Sequence, residues 1–124
     1  MLTLSRYGVN MIRKNFKFYS IKGWVHMNKK IRTAAVETLF EAIIKLETVD
    51  ECFDFFEDLA TINEILSLSQ RFEVARMLRQ HKTYLEIAEK TGASTATISR
   101  VNRSLNYGND GYDLAIQRIQ DKQE

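Results

Sequence analysis

The side chains with the clearest potential for chemistry lie in one short run, Thr95–Arg103, with the sequence TATISRVNR. Arg100 can donate two hydrogen bonds to a guanine edge or bind a phosphate, and a small residue such as Ala96 can contact a thymine methyl group. Hydroxyl groups can bind bases or backbone oxygens. One helical face would present Thr95, Ala96, Thr97, Ser99, Arg100 and Arg103. This short, polar and cationic face fits a DNA major groove.

The residues before this face have the spacing of a helix-turn-helix. Ala88 and Gly92 lie four positions apart, as a small residue and a glycine must where two helices cross and the chain reverses. Ser94 is placed to cap the second helix. The side chains expected to face the body of the domain are Ile87, Ala93, Ile98 and Val101.

The charge distribution supports contact with nucleic acid. Residues 67–109 contain seven basic and three acidic side chains, whereas residues 28–66 contain four basic and nine acidic ones. Positive charge therefore collects around the predicted helix-turn-helix, where it would attract phosphate. Because helix amino termini also favour phosphate, we expect Thr83 and Tyr84 to contact DNA as well, since they begin the first helix of the helix-turn-helix.

The remaining sequence predicts an all-α protein of about six helices. It has no proline and five glycines, and its apolar residues recur at helical spacing. A first amphipathic helix is expected within Ile31–Leu46. Later helices are expected near 49–59, 62–66, 68–81 and 84–91, with a last short helix after the turn-rich loop 106–111. Their starts are marked by the pairs Thr48/Glu51, Thr61/Glu64, Ser67/Gln70 and Thr83/Glu86.

The apolar stripes of these helices predict a core shared between subunits. We expect the second helix to bury Cys52, Phe53, Phe56 and Leu59. A further stripe contains Phe72, Ala75, Met77 and Leu78, and the last helix contributes Tyr112, Ala115, Ile116 and Ile119. Such wide stripes exceed what a chain of this length covers by itself, which indicates interlocking subunits.

Other classes of site and protein are disfavoured. Cys52 is the only cysteine, so it makes no internal disulfide or cysteine-cluster metal site, and we expect a small buried thiol. His26 and His81 lack the spacing of a zinc motif, and no catalytic constellation is recognisable. No apolar run reaches the roughly 20 residues needed to cross a bilayer, and the amino terminus lacks the apolar core of a secretory signal. We expect a soluble cytoplasmic protein that is not an enzyme.

The first 26 residues admit two interpretations. They contain five basic and no acidic side chains among several aromatics, which is typical of a nucleic-acid-binding arm or an amphipathic surface segment. Alternatively, Lys22-Gly23-Trp24 back-translates to AAR-GGN-TGG, a purine-rich run placed like a ribosome-binding site before the codon of Met27. We favour the second hypothesis, in which residues 1–26 are non-native or disordered and residues 27–124 form the domain.

The segment from Gly92 to Arg100, followed by Ser104 and Leu105, resembles the recognition helix of the Trp repressor family, whose pattern is Gly-Ala-x-x-Ala-Thr-Ile-Thr-Arg. More closely, Thr61–Gly111 resembles a Trp-repressor-like subfamily of bacterial regulators with runs like SLSQRFEVARML and TGASTATISRVNRSLNYG. The likeness is specific after Ser67 and architectural before it. It implies an intertwined helical homodimer that binds double-stranded DNA at a two-fold operator, with one recognition helix in each of two major grooves.

The resemblance also implies a ligand pocket, from which this sequence departs. In the family, tryptophan lies beside the recognition helix against an arginine that Arg100 matches, and Ser104 matches a pocket serine. Val101 replaces a glycine, and Gln70 stands where a second arginine is expected, with Arg71 about 100° further round the helix. Arg71, Arg100 and Ser104 are thus the candidate pocket residues. Because the side chain of Val101 should fill space that the indole would use, we expect no tryptophan corepressor, and no other effector is indicated.

Two further departures concern DNA. Leu85 and Ala88 stand where the family has a DNA-contacting arginine and lysine, so the family's operator sequence does not carry over. The sequence therefore predicts a sequence-specific, dimeric DNA-binding transcriptional regulator, most simply a repressor. The alternative is a protein-interaction or assembly module that uses the helix-turn-helix as a scaffold, an interpretation favoured by the acidic first half and the broad apolar stripes.

Overall fold

A computed structural model describes residues 30–122 of the chain, and the hypotheses about residues 1–26 lie outside this part. The described part contains six α-helices and no strand, which confirms the all-α prediction. No helix within residues 30–122 is long and apolar enough to span a membrane. The helices are α1 (Ala34–Ile43), α2 (Val49–Leu59), α3 (Ile62–Arg79), α4 (Tyr84–Thr91), α5 (Thr95–Tyr107) and α6 (Gly111–Asp121).

The chain divides into two compact units between Cys52 and Phe53. Within residues 30–52, α1 is shorter than the predicted helix because the hydroxyl of Thr33 caps it, accepting from the N–H of Val36 at 3.2 Å. Beyond its end, the N–H groups of Lys45 and Leu46 donate to carbonyls three residues earlier, which makes a tight turn rather than a further α-helical turn.

The predicted capping pairs begin helices at three of their four positions. At Thr61/Glu64 the N–H of Glu64 donates to the threonine hydroxyl at 3.2 Å, and the carboxylate accepts from the N–H of Thr61 at 2.8 Å. The pairs Thr48/Glu51 and Thr83/Glu86 have the same reciprocal arrangement. Each pair satisfies two backbone donors that a helix start leaves without partners.

The fourth predicted start, at Ser67/Gln70, is wrong. Ser67 lies inside α3, which runs unbroken from Ile62 to Arg79 instead of forming two helices. The amide of Gln70 does not cap its own helix; it donates to the carbonyl of Thr91 at 3.0 Å, at the far end of α4. The helix stops at Arg79 because the chain enters a turn in which His81 takes a left-handed φ of 61°.

The core of residues 53–122 lies where α3, α4, α5 and α6 meet. Phe72, Leu78, Ala88 and Tyr112 pack around its edge. The predicted inward-facing residues of the helix-turn-helix are all in this core. Its buried members are Val74, Ala75, Met77, Ile87, Ala93, Ile98, Val101, Leu105 and Ile116.

The predicted burial of α2 is wrong for the single chain. Phe53 and Leu59 are exposed, Cys52 and Phe56 are only half-buried, and neither α1 nor α2 contains a buried residue. The apolar stripe exists, but its large side chains stay exposed among the residues that the structure describes. The expected buried thiol of Cys52 is accordingly half-exposed.

Gly92 sets the reversal between α4 and α5. It has φ 71° and ψ 6°, the left-handed region, and its N–H donates to the carbonyl of Ala88 at 2.9 Å. A Cβ atom built at Gly92 would meet only the side-chain amide of Gln70, at 4.0 Å. The requirement for glycine is therefore one of backbone conformation and not of space.

We expect Gly92→Val to destabilise the fold by about 1 to 3 kcal/mol, since a β-branched residue must adopt a left-handed conformation there. Gly92→Asn should cost less, because asparagine tolerates this region. Gly111→Ala is the matched control: a Cβ at Gly111 meets nothing within 4 Å, and its melting temperature should be unchanged or higher. Thermal and urea unfolding measure the differences. Equal melting temperatures for Gly92→Val and Gly111→Ala would contradict this account of the turn.

Candidate nucleic-acid interface

The helix-turn-helix consists of α4 and α5, held against α3 from behind. Ile87 of α4, Ile98 of α5 and Val74 of α3 are fully buried. On α5, Val101 and Leu105 continue the buried side at spacings of three and four residues, which leaves the opposite side of the helix to solvent. The core therefore fixes which side chains α5 presents.

The solvent-facing side of α5, which we call the recognition face, contains the predicted polar and cationic residues. Thr95, Ala96, Arg100 and Arg103 are exposed, and Thr97 and Ser99 are half-buried. The sequence of α5 contains no acidic residue. Within residues 30–122, neither Arg100 nor Arg103 has a carboxylate within ion-pair distance. Both guanidinium groups can therefore engage an anion without first breaking an ion pair.

The start of α5 is the more open of the two helix amino termini. The hydroxyl of Ser94 accepts from the N–H of Thr97 at 3.1 Å and donates to the hydroxyl of Thr97 at 3.0 Å, which confirms the predicted cap. No acidic residue lies in the first turn. The N–H groups of Thr95 and Ala96 have no partner inside the helix, and the helix dipole adds positive potential, so this end favours a phosphate.

The start of α4 already holds an anion of its own. The carboxylate of Glu86 accepts from the N–H of Thr83 at 2.7 Å and from its hydroxyl at 3.1 Å. These two hydrogen bonds from Thr83 lower the pKa of Glu86, with a smaller contribution from the charge of Lys82. Thr83 and Tyr84, the two residues predicted to contact DNA here, are both exposed. The hydroxyl of Thr83 is engaged within the helix cap, whereas that of Tyr84 takes no part in the cap.

Two long-range ties hold the helix-turn-helix in place. The amide of Gln70 donates to the carbonyl of Thr91 and so ties the end of α4 to α3. The guanidinium of Arg79 donates to both carboxylate oxygens of Asp113, at 2.7 and 2.9 Å, and to the carbonyl of Leu105 at 3.3 Å. Arg79 thereby joins α3, the last turns of α5 and the first turn of α6.

A small cavity of about 140 Å³ lies beside the recognition face. It brings together the three residues proposed for a ligand pocket, Arg71, Arg100 and Ser104. The full lining is Arg71, Thr97, Arg100, Val101, Ser104 and Tyr112. Tyr112 is the member that sequence reasoning missed, since its helical spacing indicated only a place in the core. Its ring stacks against Phe72 with centroids 6.4 Å apart.

Leu85 and Ala88 stand where the resembled family has DNA-contacting side chains, and the structure places these two residues differently. Leu85 is 70% exposed on α4. Ala88 packs against the core where the two helices approach each other, as the turn requires.

Comparisons with known proteins agree on one family. Residues 34–120 match the family model described as Trp repressor protein. The YerC protein of Bacillus subtilis (strain 168), itself uncharacterized, is 56% identical over 92 residues, which cover 74% of this chain and 88% of YerC.

Two crystal structures are similar to this chain. One is of a TrpR-like protein from Eubacterium eligens ATCC 27750, with 73% identity and a TM-score of 0.73, covering 75% of this chain and 96% of that one. The other is of a Staphylococcus aureus protein provisionally assigned as a Trp repressor, with 54% identity and a TM-score of 0.72, covering 75% and 93%.

We expect Thr83→Val to raise the pKa of Glu86 towards its ordinary value, because the substitution removes one of the two hydrogen bonds that lower it. A lowered carboxyl pKa stabilises the folded state at pH values above the unfolded pKa. That stabilisation is lost as the pH falls through the folded pKa, so the wild type should lose its advantage over the variant on acidification.

Carbon-detected NMR titration of the Glu86 carboxyl measures this shift. Thr38→Val is the control, since the hydroxyl of Thr38 donates to the carbonyl of Ala34 within α1 and should leave Glu86 unaffected. An unchanged Glu86 titration in Thr83→Val would show that the hydroxyl does not hold the carboxylate.

Proposed function

Because this chain belongs to the Trp repressor family, we propose that it is a sequence-specific DNA-binding transcriptional repressor that acts in the cytoplasm as a homodimer on a two-fold operator. One observation carries the proposal: α5 turns its buried side to the core and presents exposed hydroxyl and guanidinium groups with no acidic residue among them. The positive charge of residues 67–109 supports it.

In this proposal α5 enters the major groove with its amino-terminal turns towards the bases. The open N–H groups of Thr95 and Ala96 bind a backbone phosphate and set the depth of insertion. Thr95, Ala96 and Ser99 then contact base edges or thymine methyl groups. Thr97 can contribute its methyl group and its hydroxyl proton, since the hydroxyl oxygen accepts from Ser94 and the proton stays free to donate.

The two arginines have different tasks. Arg100 lies one turn inside α5 and is assigned to a base edge, where a guanidinium pairs well with guanine. Arg103 lies nearly one turn further along the helix and is assigned to a phosphate. Tyr84, at the start of α4, contacts the neighbouring sugar-phosphate backbone of the DNA. Leu85 is an exposed apolar residue at a position where a basic side chain would bind phosphate. This position therefore adds less nonspecific attraction to DNA than a lysine or an arginine would.

The dimer is proposed from the uncovered apolar residues of α2 and the first half of α3. Phe53 is 60% exposed, and Leu59, Ile62, Leu66 and Leu68 are also exposed. A group of large apolar side chains left exposed on neighbouring helices is typical of an interaction surface. A second copy supplies the same apolar residues, and a two-fold arrangement of copies matches the two-fold symmetry of an operator.

We further propose that tryptophan is not a corepressor. Val101 is buried beside the cavity with 2% of its surface exposed, so its side chain is fixed where an indole would need room. The residues that surround the cavity support no assignment of another effector.

We expect Arg100→Ala to weaken binding to a selected operator more than binding to random duplex, with a loss of about 1 to 3 kcal/mol in discrimination. Fluorescence anisotropy at several salt concentrations measures both affinities. Arg118→Ala is the matched control, since Arg118 is a cationic residue of α6 outside the recognition face. Equal losses on both duplexes would reassign Arg100 to a phosphate.

We expect the full chain to sediment at twice its single-chain mass of 14.5 kDa, and Phe53→Asp to shift it towards that single-chain mass. The reason is that a carboxylate in an apolar interface has no partner for its charge. Leu85→Asp, which places the same charge on an exposed residue of α4, should leave the dimer intact. Sedimentation velocity separates these cases, and a wild-type protein that sediments as a single chain would refute the dimer.

A further inference from the structure

The cavity beside the recognition face is lined mainly by one helix. Four of its six lining residues belong to α5: Thr97, Arg100, Val101 and Ser104. Only Arg71 of α3 and Tyr112 of α6 come from other helices. Thr97 and Arg100 also belong to the proposed DNA-contacting face. The residues of the opposite wall therefore affect the orientation in which α5 presents that face.

Tyr112 is the rigid part of that opposite wall. Its ring lies against Phe72 at an interplanar angle of 22°, and both residues pack against the buried core. The neighbouring residue Asp113 receives two hydrogen bonds from Arg79, which also binds the carbonyl of Leu105 near the end of α5. The backbone of Tyr112 is thereby tied to both α3 and α5. Arg71, in contrast, is a long and flexible side chain.

The size of the cavity indicates what the tyrosine ring does there. At about 140 Å³ the cavity is well below the roughly 300 Å³ at which sites for drug-sized ligands begin. Removing the phenol ring of Tyr112 from the wall would leave a space of the size and shape of a phenol, with the ring of Phe72 on one side and the cavity on the other. Tyr112 thus occupies volume that would otherwise admit a free aromatic molecule.

We propose that Tyr112 is a positioning residue, whose ring wedges between α3 and α5 and fixes the orientation in which α5 presents Thr97 and Arg100 to DNA. The inference rests on the proposed function for its effect on DNA, but the wedge itself is a property of the free protein. In this way the chain supplies its own aromatic ring at the recognition helix and needs no diffusible one.

The test is chemical rescue. Tyr112→Ala should lower operator affinity about tenfold or more while the protein stays folded by circular dichroism, and added phenol should restore most of that affinity. Tyr112→Phe should bind DNA like the wild type, because it keeps the ring. Tyr107→Ala is the matched control, since Tyr107 is 77% exposed at the end of α5. Phenol should leave the wild type and this control unchanged.

A second arm needs no DNA. In ¹H–¹⁵N spectra of Tyr112→Ala, phenol should shift the amides of Thr97, Val101 and Ser104 in a saturable way, and it should not shift them in the wild type. If Tyr112→Ala does not fold, Tyr112→Leu serves in both arms, because it also removes the ring.

Any of three results would overturn the proposal. The first is wild-type operator affinity in the ring-deleted protein, the second is phenol that leaves those amides unmoved, and the third is bound phenol without recovery of affinity. If the wild-type protein binds no operator, the DNA-binding function fails, while the amide shifts still decide whether the ring holds α5.

Discussion

The fold of the helix-turn-helix depends on one buried apolar cluster, whose fully buried members include Ile87 of α4, Ile98 of α5 and Val74 of α3. Burying one such side chain contributes about 1.5 to 3 kcal/mol, whereas an exposed ion pair contributes about 0 to 1 kcal/mol. The pair between Arg79 and Asp113, each with 41% of its side chain exposed, is of the second kind. The buried cluster therefore contributes more to holding the two helices together than the exposed ion pair does.

This constraint explains how one short helix can be both rigid and ready to bind. The side of α5 that includes Val101 and Leu105 is fixed in the core, so the opposite side can consist of short polar and cationic groups without loss of order. The amino termini of α4 and α5 differ in whether the chain itself supplies an anion. Glu86 neutralises the amino terminus of α4 from within the chain, whereas the amino terminus of α5 has no acidic residue and stays available to a phosphate.

Local features of this fold could be predicted from the sequence, and features that join distant residues could not. The caps at Thr48, Thr61, Thr83 and Ser94 depend on residues three positions away, and the left-handed turn at Gly92 depends on one residue type. Ser67 shows the limit of such signals, since the same spacing occurs inside a continuous helix. The tie from Gln70 to Thr91 spans 21 positions, and the one from Arg79 to Asp113 spans 34. Sequence spacing predicts contacts within a few residues and does not predict hydrogen bonds between residues this far apart.

The same limit applies to the site. Periodicity identified the face of α5 correctly as solvent-facing, because its opposite side is buried. It misjudged α2, where Phe53 and Leu59 follow a helical stripe and yet stay exposed within residues 30–122. Tyr112 also looked like an ordinary core residue, since only the packed structure brings α6 to the cavity beside α5.

The most direct test of the central claim is selection of duplexes from a random-sequence pool by the full chain, followed by sequencing. If α5 reads the major groove in a two-fold dimer, the selected duplexes will share a palindrome whose half-sites lie about 10 to 10.5 base pairs apart, or a multiple of that spacing. If no sequence is enriched over the starting pool at moderate salt, the face of α5 does not read DNA, and the protein-interaction hypothesis takes its place.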